Sequence, residues 1–290
     1  MPVSLVEAAP AKVNLTLRVV RRRDDGYHEI ESLVVFADFG DRLSLAPGGA
    51  LALTVRGPSA AQAGDNDSNL VLKAARALAA ARPGLVMGTF RLDKRLPVAA
   101  GLGGGSSDAA AALRLLARAN GLSRDDPALL AAARATGADV PVCFDPRPRL
   151  MRGIGELLSA PLALAPLPAV LVNPGVAVAT RDVFARWRAP AVAPLPHDPA
   201  ALAKLSGRDE LLDLLIVQAN DLEAPAVALA PAIAEVLSAL RALSGCRLAR
   251  MSGSGATCFA LYDDEGACAA ASARIAATHP HWWRMAGRLR

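Results

Sequence analysis

Four glycines fall within five positions of the stretch PVAAGLGGGSSD, residues 97–108: Gly101, Gly103, Gly104 and Gly105. Ser106, Ser107 and Asp108 follow, and then AAAALRLLARAN, which reads as a helix running to Asn120-Gly121. Glycine adopts backbone angles other residues avoid and lets N–H groups approach a ligand closely. Ser106 or Ser107 can cap the helix, whose start leaves N–H donors unpaired at the positive end of its dipole. Gly101 to Ser107 is therefore an anion site, best suited to phosphate. A P-loop needs a lysine after its last glycine, and none stands here. A dinucleotide fingerprint starting at Gly101 needs glycine where Ser106 stands, and the H-R-D and D-F-G signatures of protein kinases are missing. Asp108 either approaches a phosphate-bound metal or complements the helix dipole.

Three further patches carry chemistry-bearing residues. In KVNLTLRVV, residues 12–20, Val13, Leu15, Leu17 and Val19 alternate with Lys12, Asn14, Thr16 and Arg18. This predicts a strand with Lys12 and Asn14 on its non-core face. In GADVP, Asp139 precedes Val140-Pro141, which disfavours helix and predicts a loop carboxylate, a turn residue or a base. RMSGSGA, residues 250–256, is a second glycine loop, set between RLARM and TCFALYDD, two predicted strands.

The elements that must position these patches follow from periodicity and punctuation. Asp25-Gly26 marks a turn in RRRDDGYHE, and strands are expected at 30–38, 41–46 and 51–56. Residues 57–67 read as a loop. Ser68 caps a helix through 81, with Leu70, Val71, Ala74 and Leu78 inward. A strand near 86–95 leads into the glycine loop. Asp126-Pro127 opens a short helix, GADVPVCF gives loop and strand, and LMRGIGELL a turn. The Pro/Ala-rich connection at 158–168 divides the chain into expected domains 1–160 and 161–290. AVLVNPG is then a strand and turn, and Thr180 heads a helix containing Phe184 and Trp187. A proline-rich loop spans 189–200. Helices are expected near 208–220, 231–243 and 265–277, with a closing strand at Trp282-Trp283. Without regular βαβ alternation, the class is α+β in two domains.

Composition bounds the rest. The 290 residues are 53% hydrophobic and 20% charged, with 32 basic and 27 acidic residues for a net +5. That suits a polyphosphate ligand without demanding nucleic acid, since no basic run exceeds Arg21-Arg22-Arg23. The basic, aromatic C-terminus reads equally as a closing strand with a charged tail. Cys143, Cys246, Cys258 and Cys268 form no CxxC pair and read as reduced thiols; the four histidines give no metal-site spacing. Residues 157–180 are uncharged but hold four prolines, which makes a membrane helix a poor reading and a buried strand a good one. The expectation is a soluble, cytoplasmic protein with a small-molecule substrate and neither nucleic-acid nor membrane partner.

The order and wording PAKVNLTLRV, DGYHEIESL, LPVAAGLGGGSSDAA, GADVPVCF, GIGE, NPG and SGSGATCFA resemble the GHMP kinase superfamily over nearly the whole chain. Within it they resemble the branch whose acceptor is a cytidine-diphosphate-linked methylerythritol. The resemblance implies a ribosomal protein S5 domain 2-like N-terminal domain, a ferredoxin-like C-terminal domain and a site in the cleft between them. It implies transfer of the γ-phosphate of ATP, carried with Mg²⁺, to the acceptor's 2-hydroxyl. Asp139 becomes the catalytic carboxylate and Lys12 its neighbour, spreading negative charge in the transition state while Asp139 orients the hydroxyl and takes its proton late. The ATP side becomes Pro97, Val98, Ala99, Ala100, Gly101, Leu102, Gly103, Gly104, Gly105, Ser106 and Ser107, with Asn69, Leu70 and Lys94 bordering the adenine. The acceptor side becomes Asn14, Gly253 and Gly255, with Tyr27 and Phe184 sandwiching the cytosine and His28 reading its polar edge. Thr180 touches substrate or merely caps its helix. No residue is assigned to the metal, and Arg147, Arg149 and Arg152 read as phosphate helpers or as surface. Homoserine or mevalonate kinase is the alternative within the superfamily, but those acceptors have no base for DGYH to hold. A non-catalytic nucleotide or RNA binder is the alternative outside it, and Lys12, Asp139 and the full loop speak against that.

Overall fold

A computed structural model describes residues 4–63, 67–189, 198–205 and 207–290. The chain opens with three strands, β1 (Leu5–Asn14), β2 (Arg18–Arg22) and β3 (His28–Pro47), followed by β4 (Ala52–Arg56). Helix α1 (Leu70–Ala81) and strand β5 (Gly88–Asp93) lead to α2 (Gly104–Ala119), α3 (Pro127–Thr136) and α4 (Val140–Phe144). Strands β6 (Arg149–Gly153), β7 (Leu157–Leu158) and β8 (Leu167–Asn173) come next. Helices α5 (Thr180–Arg186), α6 (Pro199–Ala203), α7 (Arg208–Ile216), α8 (Glu223–Leu229) and α9 (Ala232–Arg241) follow. Strands β9 (Leu248–Met251) and β10 (Cys258–Leu261), helix α10 (Glu265–Thr278) and strand β11 (Trp283–Leu289) close the chain.

These elements form two compact units. One comprises Met1–Lys12, Phe39–Val98 and Gly103–Pro146; the other comprises Val13–Asp38, Ala99–Leu102 and Arg147–Arg290. The units interleave along the chain, whereas the expected domains 1–160 and 161–290 follow chain order.

In the first unit, β5 pairs antiparallel with β3, Leu43 opposite Leu92 and Leu45 opposite Phe90, and parallel with β4. Helices α1, α3 and α4 pack around α2, which buries every residue from Ser107 to Ala117. The alanines of AAAALRLLA let these helices approach closely, so α2 is a central helix and not an amphipathic surface one. In the second unit, β8 lies between antiparallel β10 and β11, with β9 beyond β10. All seven residues of β8 are buried, so the uncharged stretch that imitates a membrane span is indeed an interior strand. A core of Val170, Val172, Ile233, Val236, Leu240 and Ile275 backs it.

Several local expectations are corrected. The strand expected at 12–20 starts at Leu5 and breaks at 15–17. Its polar residues Lys12, Asn14 and Thr16 are as buried as Val13 and Leu15. Alternation misreads it because those side chains are hydrogen-bonded inside the protein instead of facing water. Strands 30–38 and 41–46 are one strand. Gly40 does not break it, because a Cβ there would strike the Ala9 carbonyl, so the glycine serves a close approach to β1. Asn69 and not Ser68 caps α1, accepting from the Val71 N–H at 3.0 Å. Gly103, at φ +59°, precedes α2, so neither Ser106 nor Ser107 caps it. The strand expected in VPVCF is α4, where Pro141 sits in the first turn and removes no helical bond. LMRGIGELL is a hairpin of β6 and β7. Thr180 is the first residue of α5 and caps nothing. The expected proline-rich loop lies mostly outside the described residues.

Candidate active site

Lys12, near the end of β1, is almost wholly buried, and its ammonium donates to Asp139 Oδ2 at 2.7 Å. The Asp139 side chain keeps 34% of its surface exposed, so one face of the pair is dry and the other open to a ligand. Gly103 fixes the lysine stem: a Cβ there would lie 3.2 Å from Lys12 Cβ and 3.3 Å from its Cε, and the positive φ favours glycine as well. Arg114 of α2 braces the same region. Its guanidinium donates to the Ala8 carbonyl of β1 and the Cys143 carbonyl of α4 and pairs with Glu7 at 3.1 Å. The strand carrying Lys12 and the helix following Asp139 are thus tied through one buried cation. Cys143 beside them is no nucleophile, since burial pushes its thiol up to about 12.

The glycine loop divides its hydroxyls. Ser107 is fully buried and donates to the Pro10 carbonyl at 2.6 Å, which attaches α2 to β1. Ser106 has no such bond and stays partly open, so of the two expected phosphate contacts only Ser106 is available. Leu70 packs within 3.3 Å of the place a Gly105 Cβ would occupy, so it borders the loop. The Asn69 side chain is engaged as the α1 cap. Lys94 is buried with its ammonium between Asp41 and Asp108, a partnership that accounts for Asp108 better than the helix dipole does. Pro97, Val98 and Ala99 are at least partly accessible, Ala99 with a positive φ of 52°.

Around the second glycine loop the contacts are dense. Ser252 Oγ accepts from the Asn14 N–H at 3.1 Å and donates to the Gly101 carbonyl at 2.9 Å. A Cβ on Gly101 would strike the Ser252 carbonyl. Asn14 donates through Nδ2 to Ser32 at 2.7 Å, while its Oδ1 is buried without a partner. That acceptor lies 3.3 Å from where a Gly253 Cβ would be, so the absence of a side chain at 253 keeps space beside it. An unmatched buried acceptor costs about 1–3 kcal/mol, and a donor from a ligand hydroxyl would recover it. Asn220 donates to the Met251 and Gly253 carbonyls, both at 2.8 Å. Arg250 donates to the carbonyls of Leu15, Leu215 and Gln218, and burial pushes its guanidinium down to about 10. Asn220 did not stand out in the sequence, because an asparagine between helices carries no motif. Arg250 heads the RMSGSGA patch there, but with no role assigned to it.

His28 stacks on Phe184 with centroids 4.8 Å apart and meets Trp187 edge-on at 5.9 Å. Burial first and Arg22 second lower the His28 pKa, which keeps the ring neutral at neutral pH. Tyr27 stands apart, 61% exposed, in no ring pair among the described residues. Thr180 and Ser254 hydroxyls share a hydrogen bond of 2.8 Å. Arg152 pairs with Glu31, and Arg149 donates to the Ser159 carbonyl. Among the described residues no group of three or more histidines, cysteines and carboxylates could hold a metal ion.

Residues 69–145 match the GHMP kinases N terminal domain and residues 196–281 the GHMP kinases C terminal domain, and this is the class the fold and site define. A solved homoserine kinase from Cytophaga hutchinsonii shares the fold at 18% identity, with a TM-score of 0.72 over 99% of this chain and 95% of that one. A 4-diphosphocytidyl-2-C-methyl-D-erythritol kinase of Methylobacterium radiotolerans is 60% identical over 96% of this chain and 97% of its own length. Its counterpart in Methylorubrum extorquens is 57% identical over 98% and 99%. A crystal structure of 4-(cytidine 5'-diphospho)-2C-methyl-D-erythritol kinase superposes with a TM-score of 0.79 at 37% identity, covering 98% of this chain and 99% of that one. The chain belongs to the 4-diphosphocytidyl-2-C-methyl-D-erythritol kinase family of the GHMP kinases.

Proposed function

We propose that this chain transfers the γ-phosphate of ATP to the 2-hydroxyl of 4-diphosphocytidyl-2-C-methyl-D-erythritol, giving the 2-phosphate and ADP on the non-mevalonate route to isoprenoid precursors. The observation that carries the chemistry is the Lys12–Asp139 pair, a half-open carboxylate at 2.7 Å from a buried ammonium. Phosphoryl transfer to an alcohol needs an acceptor for the hydroxyl proton and charge stabilisation for the in-line transition state. Asp139 orients the hydroxyl and accepts its proton as the oxygen bonds to the γ-phosphorus and the bond to the β-phosphate oxygen breaks. Lys12 places fixed positive charge where negative charge spreads. Backbone N–H groups from Gly103 to Ser106 face the phosphates at the start of α2.

Mg²⁺ commonly binds through substrate phosphates, water and one or two protein oxygens, and we read it as arriving with the nucleotide. Mg²⁺ bound to ATP would neutralise the triphosphate, with the Ser106 hydroxyl as the free protein oxygen of the loop. On the acceptor side, Asn14 Oδ1 offers an unmatched acceptor, and the His28–Phe184 pair with exposed Tyr27 offers aromatic faces and a neutral imidazole for the cytosine. Four cysteines without a disulfide support a cytoplasmic setting. The test is ADP release by purified protein with ATP, Mg²⁺ and the cytidine-diphosphate acceptor. Turnover confined to that acceptor is expected. No ADP above background, or equal turnover of mevalonate or homoserine, would sink the assignment.

A further inference from the structure

The Lys94 ammonium donates to Asp41 Oδ2 at 2.5 Å and to Asp108 Oδ2 at 2.6 Å, and all three side chains are at most 3% exposed. Two carboxylates against one ammonium leave this interior charge unbalanced. Burial, aided by Asp41, pushes the Asp108 carboxyl up to about 7 against the pull of Lys94. Asp108 Oδ1 has no partner. A buried ion cluster is a poor source of stability, since apolar residues of similar volume often do as well or better. Its attachments point to another role. Asp41 Oδ1 accepts the backbone N–H groups of Arg95 at 2.6 Å and Leu96 at 2.8 Å, the residues that enter the glycine loop. Asp108 stands one turn into α2, the helix that leaves the loop. Lys94 joins the two, and a Cβ on Gly104 would lie only 3.1 Å from its Nζ.

We propose that Lys94 is a positioning residue for the phosphate loop: through Asp41 and Asp108 it fixes the loop's entry and exit at the spacing the triphosphate needs, and its ammonium does not read the nucleotide base. This differs from the adenine-bordering role the resemblance implies, and it rests on the reading of ATP as phosphate donor. Three consequences follow. Disturbing the triad weakens the hold on phosphates whatever the base. It leaves the acceptor's KM alone. Loss of Asp41, which touches neither base nor phosphate in this arrangement, has the same effect as loss of Lys94.

The experiment compares wild type with Lys94→Met, Lys94→Arg and Asp41→Asn. It reads KM and kcat for ATP, kcat/KM for GTP, KM for the acceptor, and equilibrium binding of a fluorescent ATP analogue. Lys94→Met and Asp41→Asn are expected to raise the ATP KM tenfold or more and to lower GTP kcat/KM by the same factor, with acceptor KM within twofold. Lys94→Arg keeps the charge but not the compact three-donor geometry, so it gives the same pattern at smaller amplitude. It supplies the readout if Lys94→Met does not fold. A change of more than tenfold in the ATP-to-GTP ratio would show base contact and overturn the proposal. An unchanged ATP KM in folded variants would overturn it too. Analogue binding needs no acceptor, so failure of wild type to phosphorylate the acceptor would refute the proposed function while leaving this test standing.

Discussion

Replacing Asp139 with asparagine tests the proposed proton acceptor and changes little else. The amide oxygen still accepts from Lys12, so the 2.7 Å contact survives without its charge. A positioned general base contributes about 10²–10⁴-fold, which is about 3–5 kcal/mol of barrier. The structural cost is smaller. Stripping the partner from a fully buried ammonium costs about 3–5 kcal/mol. Here a third of the Asp139 side chain meets solvent and an acceptor remains, so about 1–2 kcal/mol is the better figure. In a chain of this size that is a fall of about 3–6 °C in melting temperature. The assay is steady-state turnover with ATP and the cytidine-diphosphate acceptor, run beside thermal melting and ATP binding. The expected result is a kcat loss of two to four decades, ATP affinity within twofold and a modest fall in melting temperature. Lys12→Gln should cost a similar amount, and the double variant should cost far less than the product of the two. A kcat within tenfold of wild type would refute the base assignment, and so would abolished ATP binding in a protein that melts normally.

Other perturbations test the supports. Gly103→Ala puts a Cβ 3.2 Å from the Lys12 stem at φ +59°, costing about 1–2 kcal/mol of backbone strain; kcat should fall with the lysine displaced, while Gly121→Ala, which meets nothing, should leave turnover unchanged. Arg250→Met removes three hydrogen bonds to main-chain carbonyls, and at about 1 kcal/mol each chemical denaturation should show a loss of about 3 kcal/mol; a loss under about 1 kcal/mol would mean water replaces the guanidinium. Phe184→Leu should raise the acceptor KM about fivefold, from loss of about 1 kcal/mol of stacking, and an equal rise in ATP KM would count against its place on the acceptor side. For Asp108, the folded protein keeps a proton up to about pH 7 that the unfolded chain releases near 3.8. Stability therefore falls as pH rises through that window, and the penalty is complete above about 7; Asp108→Asn should flatten that slope, to be read from denaturant midpoints between pH 5 and 8.

The sequence made the glycine loop legible because four glycines in five positions have few uses, and the comparisons bear out the kinase family its partners pointed to. Element identity was legible wherever pattern and burial agree, as in α2, β8 and the Ile233–Leu240 face of α9. It failed where tertiary structure overrides pattern. Lys12, Asn14 and Thr16 looked solvent-facing because alternation cannot tell a polar side chain in water from one matched by Asp139 or Ser32 inside. Pro141 looked like a helix breaker, although the first turn of α4 needs no donor from it. The α1 cap was misplaced by one residue because Ser68-Asn69 offers two capping side chains, and only the folded backbone chooses between them. Asp41 was illegible: its partners lie 53 and 54 positions away.

The interior polar groups have a common logic that sequence could not reveal. Arg114 ties β1 to α4, Asn220 holds the start of the turn beyond β9, and Arg250 joins three backbone carbonyls. Each terminates on main-chain atoms within a few residues of Lys12, Asp139, Asn14 or Gly253. A side chain that bonds main chain fixes where neighbouring side chains point, whereas one that bonds a side chain fixes only that pair. Buried polar atoms that stay unmatched include Asn14 Oδ1, Asp108 Oδ1 and the Tyr262 hydroxyl. What sets Asn14 apart is the space that Gly253 keeps beside its oxygen, room that a ligand donor could use.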